Sequence, residues 1–352
     1  MTTRRGTLPL PLLTVLAIAT LLAAGCSANA SAGPGDKNTG ETITLYSAQH
    51  QQTTDALIAA FTEQTGIKVT VRNDGEDVLT AQIEQEGAKS PADVFYTENS
   101  PWLAQLDQKH LLAKVDPATL QQVPAADSGA SGDWVGVSAR VSALIYNTDD
   151  LNASALPSSV LDLADPRWKG KLDLAPAETD FWPIVSSVAK TYGQARALAW
   201  LKALKDNAGA NAATPDNETL LSDVSQGSSQ LGIINQYYFY RLRAEIGPSA
   251  VHAAVAYFAP HDPGYVLNIS GAAVLASSKH QAAAQKLVAF FTSTAGQTIL
   301  AHSESFEYPI GEHVAANPAL TPLAQLQPNA FSVAELGTGE DAKTLLQQAQ
   351  LI

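Results

Sequence analysis

The chain has 352 residues, of which 45% are hydrophobic, and it carries a formal net charge of −13 at pH 7. This length exceeds what one hydrophobic core usually holds, so the sequence predicts a globular protein with two lobes of ordinary domain size. The acidic balance and the lack of a basic stripe in the sequence exclude nucleic acid as a partner.

The N-terminal residues have the pattern of an export signal. Arg4 and Arg5 form a charged start, and residues 12–22 form an apolar stretch that is too short to remain as a membrane span. Small residues then precede Cys26. We therefore expect residues 1–26 to be a signal peptide and the mature chain to be exported.

The end of this signal resembles a bacterial lipobox. It reads Leu22-Ala23-Ala24-Gly25-Cys26, with Ala23 where lipoboxes more often carry a larger aliphatic residue. Cys26 is the only cysteine, so it can form no internal disulfide and its thiol needs another explanation. The pattern predicts lipidation of Cys26 and a flexible tether over residues 27–40, the alternative being a plain signal peptide with an incidental cysteine.

The first part of the mature chain alternates strands with helices. Residues 43–47 predict a strand, 53–65 a helix that ends at Gly66, and 67–71 a second strand. This order implies a parallel pair of strands with a right-handed crossover. A helix near 78–87 and a strand over 92–96 continue the alternation, which is typical of an open α/β sheet.

Two polar side chains follow strands of this predicted sheet. His50 comes after the strand at 43–47, and Glu98 comes after the strand at 92–96. Ligands of open α/β sheets gather beyond the carboxyl ends of the strands. We therefore expect His50 and Glu98 to lie at the same edge and to take part in a binding site.

The second half of the chain repeats the α/β pattern. Residues 143–146 predict a strand, and helices are predicted over 184–192, 194–205, 219–225 and 281–291. Asn217 is the expected cap of the third of these helices. Residues 265–276 predict a long extended segment interrupted at Ser270-Gly271.

Two extended segments, 143–146 and 265–270, are candidates for two crossings of the chain between lobes. A fold whose chain crosses twice makes a hinged clamp around a cleft. The expected division is 41–143 with 270–318 in one lobe, and 144–269 with 319–352 in the other.

An apolar run in the second lobe opens into adjacent tyrosines. Residues 232–234 predict a buried strand, and Asn235, Gln236, Tyr237 and Tyr238 follow. Neighbouring residues of a strand point to opposite faces, so both tyrosines can face one centre only if the backbone leaves the strand there. The alternative is that these tyrosines serve only to pack a core.

Across a cleft, His50 and Glu98 would face Tyr237 and Tyr238. Such an oxygen-rich set suits a hard cation rather than zinc or copper(I). A tyrosine ionises unaided only near pH 10, so the cation must be strongly Lewis-acidic to hold two phenolates near neutrality. Ferric iron meets that demand, and four ligands would leave two positions of an octahedron open.

Several stretches resemble the ferric-iron-binding proteins of bacterial ABC importers, in the periplasmic-binding-protein superfamily. The matching stretches are Tyr46-Ser47-Ala48-Gln49-His50, Ala92-Asp93-Val94-Phe95-Tyr96-Thr97-Glu98, Asp165-Pro166-Arg167-Trp168-Lys169-Gly170-Lys171, Asn235-Gln236-Tyr237-Tyr238 and Phe306-Glu307-Tyr308-Pro309-Ile310. The third and the last recur in relatives with other ligands and indicate the fold alone. The resemblance covers essentially the whole mature chain.

The resemblance implies a two-lobed periplasmic-binding-protein fold and a function in iron uptake. It implies iron ligation by His50, Glu98, Tyr237 and Tyr238, and no enzymatic activity. It further implies a lipid-anchored monomer on the outer face of the cytoplasmic membrane, which delivers iron to an ABC permease and its ATPase.

The resemblance also implies a synergistic anion, phosphate or carbonate, bound beside the iron. Its binding groups would map to Asn217, Asn235 and Arg140. Phosphate-using relatives carry a Ser-Gly-Ala type of turn where this chain reads Pro176-Ala177-Glu178-Thr179-Asp180. An acidic pair would repel phosphate, which leaves carbonate, another carboxylate or water.

Other functions stay open on the residues alone. The same fold could bind a small organic cation such as a polyamine, or an oxyanion such as a phosphonate. Relatives also exist that replace the histidine with further tyrosines, for which Tyr46 and Tyr146 are the candidates. An exported hydrolase is disfavoured because the sequence has neither a G-x-S-x-G nor an H-E-x-x-H motif. An adhesion protein would need no cleft.

Overall fold

The computed structural model describes residues 40–311 and 314–352, and the helix and strand alternation expected from the sequence is present. The strands are β1 (Thr42–Ala48), β2 (Lys68–Asn73), β3 (Val94–Thr97), β4 (Val135–Asn147), β5 (Leu172–Asp173), β6 (Leu231–Asn235), β7 (Ala253–Ala256), β8 (Leu267–Val274) and β9 (Tyr308–Pro309). The helices are α1 (Gln51–Thr65), α2 (Glu76–Glu86), α3 (Ser100–Gln108), α4 (Pro117–Leu120), α5 (Trp182–Tyr192), α6 (Gln194–Ala208), α7 (Asn217–Gln226), α8 (Gln236–Ile246), α9 (Gln281–Thr292), α10 (Thr294–Ala301), α11 (Val333–Leu336) and α12 (Glu340–Gln348).

The expected parallel pair at the start of the chain is confirmed. Strands β1 and β2 pair in parallel, with helix α1 as the crossover. Helix α1 buries Leu57, Ile58 and Phe61, which recur at the three- and four-residue spacing of one helical face. It ends at Gly66, whose φ of 75° is left-handed and whose N–H donates to the carbonyl of Thr62.

The parallel order places two functional candidates at the same edge of the sheet. Strand β3 also pairs in parallel with β1, and Ala48 lies opposite Thr97 in the register. Glu98 directly follows Thr97, and His50 follows Ala48 after one intervening residue. The expectation that they share a sheet edge is confirmed.

Strand β4 connects two groups of strands. Its first half pairs antiparallel with β8 and β9, while its second half, from Ser142, pairs antiparallel with β6 and β7. Strand β8 also pairs with β3, and β5 pairs in parallel with β6. The segment 143–146, expected to cross between lobes, therefore lies where β4 has joined the second group.

Two expectations from the sequence are wrong, one about an interruption of an extended segment and one about a helix cap. The segment 265–276 is not interrupted at Ser270-Gly271, because both residues lie within β8, where Gly271 pairs with Thr97 and Gly136. Helix α7 is capped by Asp216, whose carboxylate accepts from the N–H of Thr219, rather than by Asn217. Asn217 is the first residue of that helix, so its side chain is free to reach elsewhere.

The backbone leaves the strand between Asn235 and Gln236, as the adjacent tyrosines required. Strand β6 ends at Asn235, and helix α8 begins at Gln236. The buried carboxamide of Gln236 fixes this junction: its oxygen accepts from the N–H of Val141 at 2.6 Å, and its nitrogen donates to the carbonyl of Phe306 at 3.2 Å. The two tyrosines therefore occupy the first turn of a helix.

Within the described residues, none of the helices is both long enough and apolar enough to cross a membrane. The predicted signal peptide with Cys26, and the tether over 27–40 apart from Gly40, lie outside the described residues.

We expect Gly136→Ala to destabilise the fold, because a Cβ atom at this position of β4 would lie 2.3 Å from the carbonyl oxygen of Asp127. Overpacking against backbone costs about 1–3 kcal/mol, which is measurable as a lower midpoint of denaturant unfolding. The control is Gly75→Ala, whose Cβ would meet the movable side chain of Asp77 at 3.0 Å. An unchanged midpoint for Gly136→Ala would contradict the close packing of β4.

Candidate functional site

A cavity of about 670 Å³ lies at the carboxyl ends of β1 and β3 and at the start of α8. It is rich in acidic and aromatic side chains. Its walls are formed by Ala48, Gln49, His50, Asp74, Gly75, Glu76, Asp77, Glu98, Asn99, Trp102, Ala177, Glu178, Thr179, Asp180, Trp182, Glu218, Tyr237, Tyr238, Arg241 and Lys343. The four residues expected as iron ligands are all among them.

Three of these four side chains are in direct contact. The Nδ1 atom of His50 lies 3.3 Å from Oε1 of Glu98, and the hydroxyl of Tyr237 donates to Oε2 of Glu98 at 3.3 Å. The rings of His50 and Tyr237 meet edge to face, with their centroids 5.3 Å apart. The structure thus brings together side chains that are 48 and 139 residues apart in sequence.

Tyr238 completes the set on the side of the cavity formed by the loop before α5. Its ring stacks on that of Tyr237, with centroids 4.0 Å apart and an interplanar angle of 28°. Its hydroxyl donates to Oδ2 of Asp180 at 3.2 Å. Both tyrosine rings are buried, since the first turn of α8 packs against the second group of strands.

One arginine is buried beneath this set. The guanidinium of Arg140 is fully buried and lies 3.3 Å from Asp180, 3.4 Å from Glu307 and 3.9 Å from Glu98. Its cation also lies 5.8 Å from the centre of the Tyr237 ring. Three carboxylates therefore share a single buried guanidinium, and this part of the site carries an excess of negative charge.

Glu307 is a site residue that sequence reasoning missed. In the sequence it belongs to a motif that indicates the fold alone, yet its buried carboxylate approaches Nε2 of His50 to 3.9 Å and accepts a hydrogen bond from Ser138. One ligand atom each from His50, Glu98 and Glu307 lies within 4.8 Å of the others, a spacing compatible with a bound metal ion. The only signal in the sequence was an acidic residue within an otherwise apolar motif.

The protonation of the site follows from its burial. Burial lowers the pKa of His50 to about 4, against the opposing effect of Glu307, so the imidazole is neutral near pH 7. Burial raises the pKa of Glu98 to about 8, opposed by Arg140 and reinforced by Glu307 and Asp180. Burial and Glu98 also raise the pKa of Tyr237 well above its usual range.

These shifts describe a site that is short of positive charge. A neutral imidazole can donate its lone pair to a metal, and within the described residues His50 Nε2 is buried with no hydrogen-bond partner. The raised pKa values of Glu98 and Tyr237 show that both anions are unfavourable without a cation. The arrangement is therefore suited to a small cation of high charge.

The residues expected to hold an anion are only partly brought together. Asn217 donates from Nδ2 to Asp180 at 3.3 Å, and Arg140 also contacts Asp180. Asn235 instead accepts a hydrogen bond from Asn268 at 2.8 Å and is not part of the cavity wall. All three side chains are buried, and none of Arg140, Asn217 and Asn235 lines the cavity.

The tyrosines considered as substitutes for the histidine lie elsewhere. Tyr46 donates to Glu86 at 3.1 Å, and neither Tyr46 nor Tyr146 lines the cavity. Arg241, which sequence reasoning did not single out, lines the cavity with its guanidinium 5.9 Å from the centre of the Tyr237 ring.

Comparison with known proteins gives a consistent result. The family model described as bacterial extracellular solute-binding protein matches residues 47–298. The chain is 41% identical to the Fe(3+)-binding periplasmic protein of Serratia marcescens, covering 92% of this chain and 93% of that protein. It is 38% identical to the major ferric iron-binding protein of Neisseria meningitidis, covering 87% of this chain and 92% of that protein.

Solved structures agree on the fold. Iron-bound HitA from Pseudomonas aeruginosa superposes with a TM-score of 0.83 and 41% identity, covering 88% of this chain and 99% of that one. A Trichodesmium protein in complex with iron and citrate ligands gives a TM-score of 0.80 at 27% identity, covering 88% of this chain and all of that one. The expected two-lobed periplasmic-binding-protein fold is thereby confirmed.

We expect Arg140→Leu to destabilise the metal-free protein by about 3–5 kcal/mol, because it leaves the buried carboxylates of Asp180 and Glu307 and the partly buried Glu98 without their shared cation. Denaturant unfolding measures the loss. The matched control is Arg72→Leu, which breaks an exposed pair with Asp74 at 3.4 Å and changes stability by less than about 1 kcal/mol. Equal effects of the two variants would contradict the role given to Arg140.

Proposed function

The chain belongs to the family of bacterial extracellular solute-binding proteins, and we propose that it captures ferric iron outside the cytoplasm and delivers it to an ABC permease. The observation that carries the proposal is the convergence of two buried tyrosine hydroxyls, a carboxylate and a neutral imidazole at one cavity wall. The names of the Serratia and Neisseria relatives, and the iron-bound state of the Pseudomonas structure, support ferric iron as the cargo.

The chemistry of the tyrosines selects the cation. Burial raises the pKa of both hydroxyls far above neutrality, so only a strongly Lewis-acidic ion can displace their protons. Ferric iron combines a charge of three with a preference for anionic oxygen. In this proposal Tyr237 and Tyr238 bind as phenolates, Glu98 as a carboxylate and His50 as a neutral imidazole.

Capture of iron couples to closure of the two lobes. The proposed lobes are 41–143 with 270–318, and 144–269 with 319–352, so Glu98 and Tyr237 belong to different lobes. Helix α12 packs against α5 and α6, which supports assigning the C-terminal residues to the second lobe. Because the ligands come from both lobes, iron stabilises the closed state over the open one.

A tryptophan at the cavity wall supports this closure. The indole N–H of Trp102 lies 3.1 Å from Glu76 and 3.3 Å from Thr179, which come from the two proposed lobes. Its ring also packs against that of Trp182, with centroids 5.5 Å apart. These contacts hold the lobes together beside the proposed iron site.

A second candidate function is binding of a small organic cation such as a polyamine. It is favoured by the cavity wall itself, which contains the acidic residues Glu76, Asp77 and Glu178 together with the aromatic residues Trp102 and Trp182. Carboxylates with aromatic walls attract an ammonium group. An oxyanion such as a phosphonate is disfavoured by the same acidic wall.

The location follows from the N-terminal pattern. The proposal has the chain anchored through lipid on Cys26 at the outer face of the cytoplasmic membrane, acting as a monomer beside a permease and its ATPase. The membership in an extracellular solute-binding family supports an extracytoplasmic site of action.

Addition of ferric citrate to the purified mature chain is expected to produce a broad visible band from phenolate-to-iron charge transfer. The double variant Tyr237→Phe, Tyr238→Phe removes both phenolates and is expected to lose the band. The matched control is Tyr240→Phe, a half-buried tyrosine of the same helix that does not line the cavity, and it keeps the band.

A wild type without this band, from which all iron is removed by a simple wash, would contradict the proposed function. Calorimetric titration with spermidine, performed on the same preparation, then distinguishes the second candidate. Heat of binding to a polyamine in a protein that gives no iron band would favour the organic-cation function.

Lipidation predicts where the protein is found in a bacterial host that processes lipoproteins. The wild type is expected to sediment with membranes, and Cys26→Ser is expected to move it to the soluble extracytoplasmic fraction while iron binding is unchanged. The control is Ser27→Ala, which leaves the acceptor cysteine intact. Equal distribution of the wild type and Cys26→Ser would contradict lipid anchoring.

A further inference from the structure

Two of the turns that line the cavity have a buried glutamine directly before a proposed ligand. Gln49 precedes His50 at the junction of β1 and α1, and Gln236 precedes Tyr237 at the junction of β6 and α8. Gln49 is 5% exposed and Gln236 is fully buried. Buried carboxamides are nearly always hydrogen-bonded, so the partners of these two side chains show what holds each turn in place.

The carboxamide of Gln49 joins its turn to β8 and to Glu307. Its oxygen accepts from the backbone N–H of His50 at 2.7 Å, and its nitrogen donates to the hydroxyl of Ser270 at 3.0 Å. The same nitrogen lies 3.4 Å from each carboxylate oxygen of Glu307. The backbone of His50 is thereby fixed to strand β8 and to the segment that contains Glu307.

The carboxamide of Gln236 joins the other turn to β4 and to Phe306. Its oxygen accepts from the N–H of Val141 at 2.6 Å, and its nitrogen donates to the carbonyl of Phe306 at 3.2 Å. In the proposed division of the chain, Gln236 belongs to the second lobe and both of its partners belong to the first. This side chain therefore links the tyrosine-bearing helix α8 to the opposite lobe.

The two glutamines meet on consecutive residues, Phe306 and Glu307. Glu307 also contacts Arg140 at 3.4 Å and accepts a hydrogen bond from Ser138, both of them on β4. Phe306 has a φ of 52°, a left-handed conformation that residues other than glycine rarely adopt, and its ring stacks on Tyr240 of α8 with centroids 6.0 Å apart. Such a conformation persists only where the surroundings fix it. The two residues, which we call the 306–307 segment, are therefore held in one position.

We propose that Gln49 and Gln236 are positioning residues for iron binding, which hold the two ligand-bearing turns on one common support, the 306–307 segment. This inference rests on the proposed function, because the residues they position are His50 and Tyr237. In this role neither glutamine contacts the iron, and each acts through the backbone of the residue that follows it. A binding site needs its ligands held within about 0.5 Å, so loss of either link weakens the retention of iron.

The chain offers a matched control in Gln297, a third buried glutamine, which does not line the cavity. Its nitrogen donates to the carbonyls of Val137 and Phe291, both at 2.8 Å, and its oxygen accepts from the N–H of Gly311 at 2.8 Å. Methionine is unbranched like glutamine and lacks the carboxamide. Gln297→Met therefore removes hydrogen bonds of the same kind without touching a ligand-bearing turn.

The experiment compares Gln49→Met, Gln236→Met and Gln297→Met in the mature chain. Each is loaded with ferric citrate, and the loss of iron to excess EDTA is followed through the charge-transfer band. Loss is expected to be about fivefold faster in Gln49→Met and in Gln236→Met than in Gln297→Met, which keeps the wild-type rate. Gln236→Met is also expected to shift the band maximum, because the phenolate of Tyr237 moves relative to the iron. A purely structural role would lower stability and leave the band where it is.

The double variant Gln49→Met, Gln236→Met tests whether the support is shared. Once the first link is lost, one turn is already free to move relative to the other, so the second substitution adds little. Iron loss from the double variant is therefore expected to be at most about twofold faster than from the faster single variant.

Thermal unfolding of each metal-free variant shows that it is folded at the temperature of the assay, and Gln49→Met gives an independent comparison if Gln236→Met does not fold. The inference is overturned if the folded variants lose iron at the rate of Gln297→Met, or if the accelerations of the two single variants multiply in the double variant. A wild type that gives no charge-transfer band contradicts the proposed function, and this inference with it, so the two failures are distinguishable.

Discussion

The burial of one guanidinium among three carboxylates is the interaction on which the rest of the site depends. Arg140 comes from the strand that joins the two groups of strands, and it contacts Glu98, Asp180 and Glu307 from three distant segments. Paired carboxylates are tolerable in a buried position only where a cation neutralises them. One arginine neutralises one charge, so the structure holds the segments together while leaving the site short of positive charge.

That shortage gives a physical account of how binding and closure become one event. Closing the lobes around Glu98, Tyr237 and Tyr238 buries groups whose anions are unfavourable, as the raised pKa of each indicates. A trivalent cation bound among these groups would stabilise all the anions at once, so that closing the lobes around them becomes favourable. In the proposed function, the same residues thus disfavour the empty closed state and favour the loaded one, which is the difference that a receptor for a permease would need.

Much of the fold and part of the site could be predicted from local sequence. Strand ends are local features, and parallel pairing brings them to one edge, so His50 and Glu98 were placed together correctly. The need for Tyr237 and Tyr238 to share a face also predicted that the strand ends before them. The roles of Asp180 and Glu307 could not be predicted in this way, because their partners are separated by 40 and 167 residues and no local pattern records such pairs. The sequence indicates only a repulsive charge at Asp180, because it does not show that Arg140 lies beside this residue.

The most direct test of the account is diffraction from iron-loaded crystals, with data collected on both sides of the iron absorption edge. The account predicts a single strong anomalous peak at bonding distance from the hydroxyls of Tyr237 and Tyr238 and from the carboxylate of Glu98. A peak placed elsewhere, or iron that contacts neither tyrosine, would contradict it.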